Sequence, residues 1–290
     1  MDRGWLLYQR EDIDRNRRFA DWFVEAGPEF GFDIALRLVD ELTLHLPAGS
    51  AAKGAGEPLP AFALNRGRDG LVSAFLQDAG CRVFNSTAVT AVANDKMRSH
   101  MLARQLGLPQ VDMAFVPNAP VALAAQPLGW PVVVKHPGGH GGGQVLLART
   151  AEELCTAAAS FGGERVLLQR LCAQPGVDLR VYVLGGQVLQ AVRRTAGEGF
   201  RANLSLGGHA EAVATPPAVA RMVGAICGVL PLDYAGVDFL PDGQGGWLFN
   251  EIEDAVGSRA LYEIGGFDVV RLFLAHVRAT LDAQVAPNRI

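Results

Sequence analysis

The chain has 290 residues, 49% hydrophobic and 19% charged, enough apolar mass for one sizeable core or for two or three small domains. A formal net charge of -4 offers no basic surface to nucleic acid or an anionic membrane, and no window reaches the roughly 20 uninterrupted apolar residues of a membrane-spanning helix. Residues 1–23 alternate apolar and charged positions instead of forming a signal-peptide stretch, and Cys81, Cys155, Cys172 and Cys227 lack the paired spacing of zinc or redox sites, so a soluble cytoplasmic protein with reduced thiols is expected.

In chain order, residues 4–8 read as a buried first strand. Phe19, Trp22, Phe23 and Ala26 then set the apolar face of a helix over residues 13–26. Strands at 33–39, 61–64 and 81–84, with a helix at 69–79, continue the alternation and predict a parallel α/β domain over residues 1–90. The proline- and glycine-rich stretch 46–60 reads as a surface loop.

A second unit spans residues 91–164. A helix at 96–106 ends at Gly107, with Pro109 beyond it. Strands at 131–135 and 144–148 flank a glycine-rich loop, and an alanine-rich helix follows at 151–161. The third unit, 165–290, opens with a strand at 165–169. Strands at 179–184 and 187–192 flank Gly185-Gly186, a two-residue hairpin turn. A helix at 217–229, a second hairpin around Asp242-Gly243 and a closing helix at 267–281 complete the chain.

Two stretches carry chemistry. The loop after Lys135 contains Gly138, Gly139, His140, Gly141, Gly142 and Gly143. It lacks the Gly-Lys-Ser/Thr ending of a P-loop, and a strand follows it where a P-loop or dinucleotide fingerprint needs a helix. A β-loop-β flap remains, whose unobstructed N–H groups can close over phosphates while Lys135 points a fixed positive charge at them. The alternative, a flexible hairpin, would carry an entropy cost of about 0.5–1 kcal/mol per glycine. The second stretch is Trp247-Leu-Phe-Asn-Glu-Ile-Glu-Asp254, preceded by Asp238. Glu251 and Glu253 stand two apart on a strand and share a face. Their crowding suits a divalent cation with hard oxygen ligands, an exposed acidic strand end being the alternative.

Asn94-Asp95-Lys96, Lys135, the glycine flap, Asp178-Leu-Arg180, Phe200-Arg-Ala-Asn-Leu204, Gly207-Gly208, Ala235-Gly-Val-Asp238 and Asn250-Glu251 follow one another in this order. In this ordered set the chain resembles the ATP-grasp superfamily and, within it, the RimK-like amino-acid ligases, over about residues 4–281. The resemblance implies the ATP-grasp fold, with an N-terminal parallel α/β domain followed by two α+β subdomains that clamp ATP. It implies an ADP-forming ligase that activates a small carboxylate as an acyl phosphate and joins it to an amine. Alternatives are a carrier-protein thiol, a peptide or a protein terminus as acceptor, or an ATP-binding module whose catalysis has lapsed. Family members are commonly dimers or tetramers, so a homo-oligomer is implied without its size.

By the same resemblance, Lys96 and Lys135 contact ATP phosphates, residues 138–143 form the flap, and Gln169, Arg170 and Leu171 form the adenine hinge. Asp178 lies near the nucleotide, Arg201 and Asn203 face the γ-phosphate and the forming acyl phosphate, and Asp238, Glu251 and Glu253 hold two magnesium or manganese ions. Three departures stand out. Glu253 replaces the usual asparagine ligand, which implies either tighter metal binding or a shift toward manganese. Arg170 replaces a hinge glutamate, leaving adenine recognition to the backbone. The loop at 254–261 lacks the family's Ser-Pro-Gly, so Arg259 becomes a candidate for the substrate carboxylate, by a bidentate pair. Arg66 and Arg68, after a strand of the first domain, and Arg180 are further substrate candidates.

Overall fold

The computed structural model describes residues 1–46, 53–54, 58–139, 143–197, 199–200, 202 and 207–285. The first unit comprises β1 (Asp2–Tyr8), α1 (Arg10–Ala26), β2 (Phe32–Leu38), β3 (Leu44–His45), β4 (Lys53–Gly54), β5 (Phe62–Asn65), α2 (Gly70–Asp78), β6 (Arg82–Phe84) and α3 (Thr87–Ala93). Its sheet has the order β2-β1-β5-β6, with every pairing parallel. Strand β1 is central and carries the run Trp5–Tyr8, buried because helices cover both faces of such a sheet. Within the predicted loop at 46–60 lies β4, which pairs antiparallel with β3 just before it.

Next come α4 (Lys96–Gln105), β7 (Met113–Pro117), α5 (Pro120–Ala124), β8 (Val132–Lys135), β9 (Val145–Ala148), α6 (Ala151–Phe161) and β10 (Arg165–Arg170). They build an antiparallel sheet of order β7-β10-β8-β9. Strand β10, expected at the head of the third unit, thus belongs to this second sheet. Its apolar residues Val166 and Leu168 pack with Val132, Val134 and the buried face of α6.

The last elements are β11 (Val177–Leu184), β12 (Gln187–Thr195), β13 (His209–Val213), α7 (Pro217–Val229), β14 (Tyr234–Pro241), β15 (Trp247–Glu253), α8 (Arg259–Ile264) and α9 (Val269–Val285). Here the sheet is antiparallel, ordered β13-β12-β11-β14-β15. One face packs on α7 through Val219, Met222, Val223 and Ile226. The closing helix α9 packs between this sheet and the first unit, where Phe273 meets Tyr234 at a ring-centroid distance of 5.4 Å and Phe23 and Phe84 at 6.1 and 6.5 Å. Among the described residues no helix is long and apolar enough to cross a membrane.

Candidate functional site

Asp238 on β14 lies directly opposite Glu251 on β15. A bulge follows, so that Phe239 faces Phe249 and Asn250 has no cross-strand partner of its own. The carboxylates of Asp238, Glu251 and Glu253 lie within 4.8 Å of one another, as the alternation predicts. Their crowding is already relieved by bases. Arg180 on β11 makes a two-pronged contact with Asp238 at 2.7 and 2.6 Å and reaches Glu253 at 2.8 Å. Arg194 on β12 bonds Asp178 at 2.6 and 2.8 Å and Asp238 at 2.8 Å. Lys96 meets Glu251 at 2.8 Å.

Lys96 is placed by its helix end. Asp95 caps α4, accepting the N–H groups of Met97 and Arg98, and the Lys96 N–H is held by the Pro137 carbonyl at 3.2 Å. The ammonium then bridges the acidic strand and the flap, donating to the Gly139 carbonyl at 2.7 Å. Burial works against its charge, but Glu251, with Glu253 and Asp238 behind it, prevails and raises its pKa. For Glu251 burial is likewise overcome, by Lys96 and Lys135, and the carboxyl stays well below its ordinary range. Lys135 ends β8 and is 7% exposed, donating to Asn250 Oδ1 at 3.1 Å. There burial wins and lowers the ammonium to about 8.

Two cavities meet at this cluster. The smaller, about 100 Å³, lies between the second and third sheets and is lined by Val133, Lys135, Gln169, Leu171, Cys172 and Leu240, with Asp178 and Asp238 at its polar end. Gln169 Oε1 is buried there with no partner among the described residues. The larger, about 520 Å³, lies between the first unit and the third sheet and is lined by Arg66, Arg68, Arg180, Glu253 and Arg259 among others. Lys96, Gly139, Arg194 and Glu251 line both.

Not every expected residue faces the cleft. The Arg170 side chain turns outward to Asp112 at 3.2 Å, both groups being exposed, so that only its backbone can serve a hinge. Arg180 lines the larger cavity, but it is only 5% exposed and holds its guanidinium on Asp238 and Glu253. Arg68 is held by Asp12 at 2.5 Å and Glu11 at 2.7 Å. Arg259 opens α8, a helix that the sequence reading leaves as loop, and donates to the Arg15 carbonyl at 3.1 Å. His140, Gly141, Gly142, Arg201 and Asn203 lie outside the described residues; of the flap's described glycines, Gly138 and Gly139 line the larger cavity and Gly143 does not.

The sequence reading misses Arg194 and Asp254. Arg194 stands opposite Asp178 across the β11–β12 hairpin, a signal that the hairpin turn carries only approximately. Asp254 is 3% exposed, and its carboxylate accepts from Asn94 Nδ2 at 3.2 Å and from the Ala255 N–H at 2.8 Å. The donor set of the acidic cluster, carboxylate oxygens alone, fits a hard divalent cation. The small cavity, with apolar walls at Val133, Leu171 and Leu240, an unpaired amide oxygen and two lysines, fits a nucleotide base and its phosphates.

Residues 93–276 match the RimK-like ATP-grasp domain. A protein of Marinomonas sp. named probable alpha-L-glutamate ligase is 29% identical, over 92% of this chain and 94% of its own length. The ribosomal protein bS6--L-glutamate ligase of Escherichia coli is 31% identical, over 81% of this chain and 83% of its own. Among solved structures, a RimK domain ATP-grasp protein from Sphaerobacter thermophilus superposes with a TM-score of 0.71 at 23% identity, covering 94% of this chain and 98% of that one.

Proposed function

This chain belongs to the RimK-like ATP-grasp family, ligases that form carbon–nitrogen bonds with ATP and divalent metal ions, and we propose that it activates an amino acid or similar carboxylate as an acyl phosphate before joining it to an amine. The observation that carries this reading is the shared wall of the two cavities. Lys96, Gly139, Arg194 and Glu251 line both, so a nucleotide in the small cavity and an acid in the large one would meet where the charged groups converge.

In this reading the adenine lies against Val133, Leu171 and Leu240, with Gln169 and the 169–171 backbone along its edge. Lys135 and Lys96 bind the phosphates, and the flap closes over them through its N–H groups. Asp238, Glu251 and Glu253 would hold the metal ions, which when bound would neutralise phosphate charge. The substrate carboxylate attacks the γ-phosphorus and ADP leaves. Arg194 and Arg180, fixed and buried, face the negative charge that develops there, as would Arg201 and Asn203. The amine then attacks the acyl carbon and phosphate departs. Magnesium is the first assignment; the extra negative charge of Glu253 makes manganese the comparison to measure.

We place the enzyme in the cytoplasm, where ATP is available and where four free cysteines stay reduced. The E. coli relative, named for a protein acceptor, supports a second reading in which a protein terminus replaces the small amine. The test is ADP and phosphate release from MgATP across amino acids, singly and in pairs, with product masses. ADP with a condensed product is expected; AMP as the nucleotide product would overturn the acyl-phosphate route. Turnover only on adding a peptide or protein would favour the second acceptor.

A further inference from the structure

The larger cavity continues past the phosphate end to a wall made by the end of β1, helix α1 and the residue that follows β5. That wall holds polar atoms with no partner among the described residues. Arg66 is 7% exposed; its Nη2 donates to the Val256 carbonyl at 2.7 Å, while its buried Nε has no partner among the described residues. Tyr8 is 2% exposed, and its hydroxyl also has no partner among the described residues. Two orphaned polar groups on one cavity wall are costly unless a ligand completes them.

The charges around them have been sorted by the protein itself. Arg15 and Arg68 are paired with Asp12, and Arg18 with Glu25. Among the described residues Arg66 has no carboxylate within salt-bridge distance. Its guanidinium lies over the rings of Phe19 and Tyr234, 5.6 and 5.9 Å from their centroids, which fixes its plane. Beside it stands an aromatic cluster: Phe19, Trp22 and Tyr262 are half-buried, line the cavity, and lie 5.1–6.3 Å apart.

A buried cation with no carboxylate in salt-bridge contact among the described residues, next to half-buried ring surface, matches one kind of ligand. Resting on the ligase reading above, we propose that this wall binds the acceptor, a free amino acid with an aromatic side chain. Its carboxylate sits on Arg66 and the Tyr8 hydroxyl, and its ring packs among Phe19, Trp22 and Tyr262. The amine on the same carbon is then free to face the acidic cluster, because Val256, held by Arg66, follows Glu253 by three residues.

The test is calorimetric titration of L-phenylalanine, L-phenylalanine methyl ester, L-alanine and L-glutamate into the full chain with MgADP, and into its Trp22→Leu, Phe19→Leu and Arg66→Lys variants. Both leucine variants keep apolar bulk, and thermal melts check their folding. Phenylalanine should bind about tenfold more tightly than alanine, the preference collapsing in Trp22→Leu and Phe19→Leu. The ester and Arg66→Lys should each lose at least tenfold in affinity. Equal binding of phenylalanine and alanine, or preference for glutamate, overturns the proposal. In paired turnover assays the product should carry phenylalanine acylated on nitrogen; a product joined through its carboxyl group would overturn the acceptor assignment. Aromatic binding that these variants abolish, without ADP release from any pair, would uphold this site and sink the ligase reading instead.

Discussion

At the scale of single residues, the centre is a charge-balanced knot. Asp178, Asp238, Glu251 and Glu253 are matched against Lys96, Arg180 and Arg194, with Lys135 held just behind on Asn250. Binding of a metal–nucleotide complex would be an exchange of partners, the lysines turning to phosphate while the carboxylates take the cation. Lys135→Ala and Glu251→Gln are therefore expected to lower ATP turnover about a hundredfold or more, with melting temperatures within a few degrees of wild type. Normal turnover in either variant would remove that residue from the machinery. Burial lowers Lys135 to about 8, and phosphate favours the charged form. Below pH 8 the ammonium is already protonated and ATP binds at full strength. Above it, binding must take up a proton, so ATP affinity should fall as pH rises past 8, by up to about tenfold per unit. Titrations from pH 7 to 9.5 should show this slope in the wild type and lose it in Lys135→Met.

At the scale of elements, the β11–β12 hairpin decides which arginine enters the site. Gly185 and Gly186 turn the chain with φ values of 57 and 75°, the left-handed region a tight hairpin needs. Leu184 faces Gln187, and continued regular pairing would set Asp178 opposite Arg193. The register shift between Tyr182 and Val183 advances the partner by one residue, so Asp178 meets Arg194, and Arg193 goes to the exposed face beside Glu211. The turn itself is closely packed: a Cβ on Gly185 would come within 2.9 Å of His276 Nδ1. Gly185→Ala should cost about 1–3 kcal/mol, from the left-handed conformation together with the displaced histidine. Urea denaturation would measure it; an unchanged midpoint would mean that the turn tolerates a side chain.

At the scale of the whole molecule, the first unit and the third sheet are joined through buried polar contacts as well as apolar ones. Asn85 accepts the N–H groups of Asp233 and Tyr234 at 2.7 and 3.0 Å, and donates to the carbonyls of Tyr234 and Asp254 at 2.7 and 3.1 Å. Asp233 in turn binds Arg82 of β6 and His276 of α9. This joint shapes the larger cavity, because Asp254 and the loop after it form the cavity's floor. Asn85→Ala should leave buried backbone groups unpaired and lower stability by roughly 2–4 kcal/mol, read by guanidinium denaturation. A loss below about 0.5 kcal/mol would show that water replaces the amide at little cost.

The sequence by itself determined the strand and helix alternation, the hairpin turns at Gly185-Gly186 and Asp242-Gly243, and the shared face of Glu251 and Glu253, because these follow from local periodicity and turn chemistry. It also carried Lys96 and Lys135 to the site, since each closes or opens a regular element. Only the tertiary structure decided that β10 joins the second sheet, that α9 folds back onto the first, and that Arg170 turns outward to Asp112. It alone set the Arg180 guanidinium on Asp238 and Glu253, and brought Arg194 in beside it. The reason is one of range: a bulge of one residue, or the sheet a strand joins, is settled by contacts far apart in the chain, and one residue of register exchanges a buried charge for an exposed one.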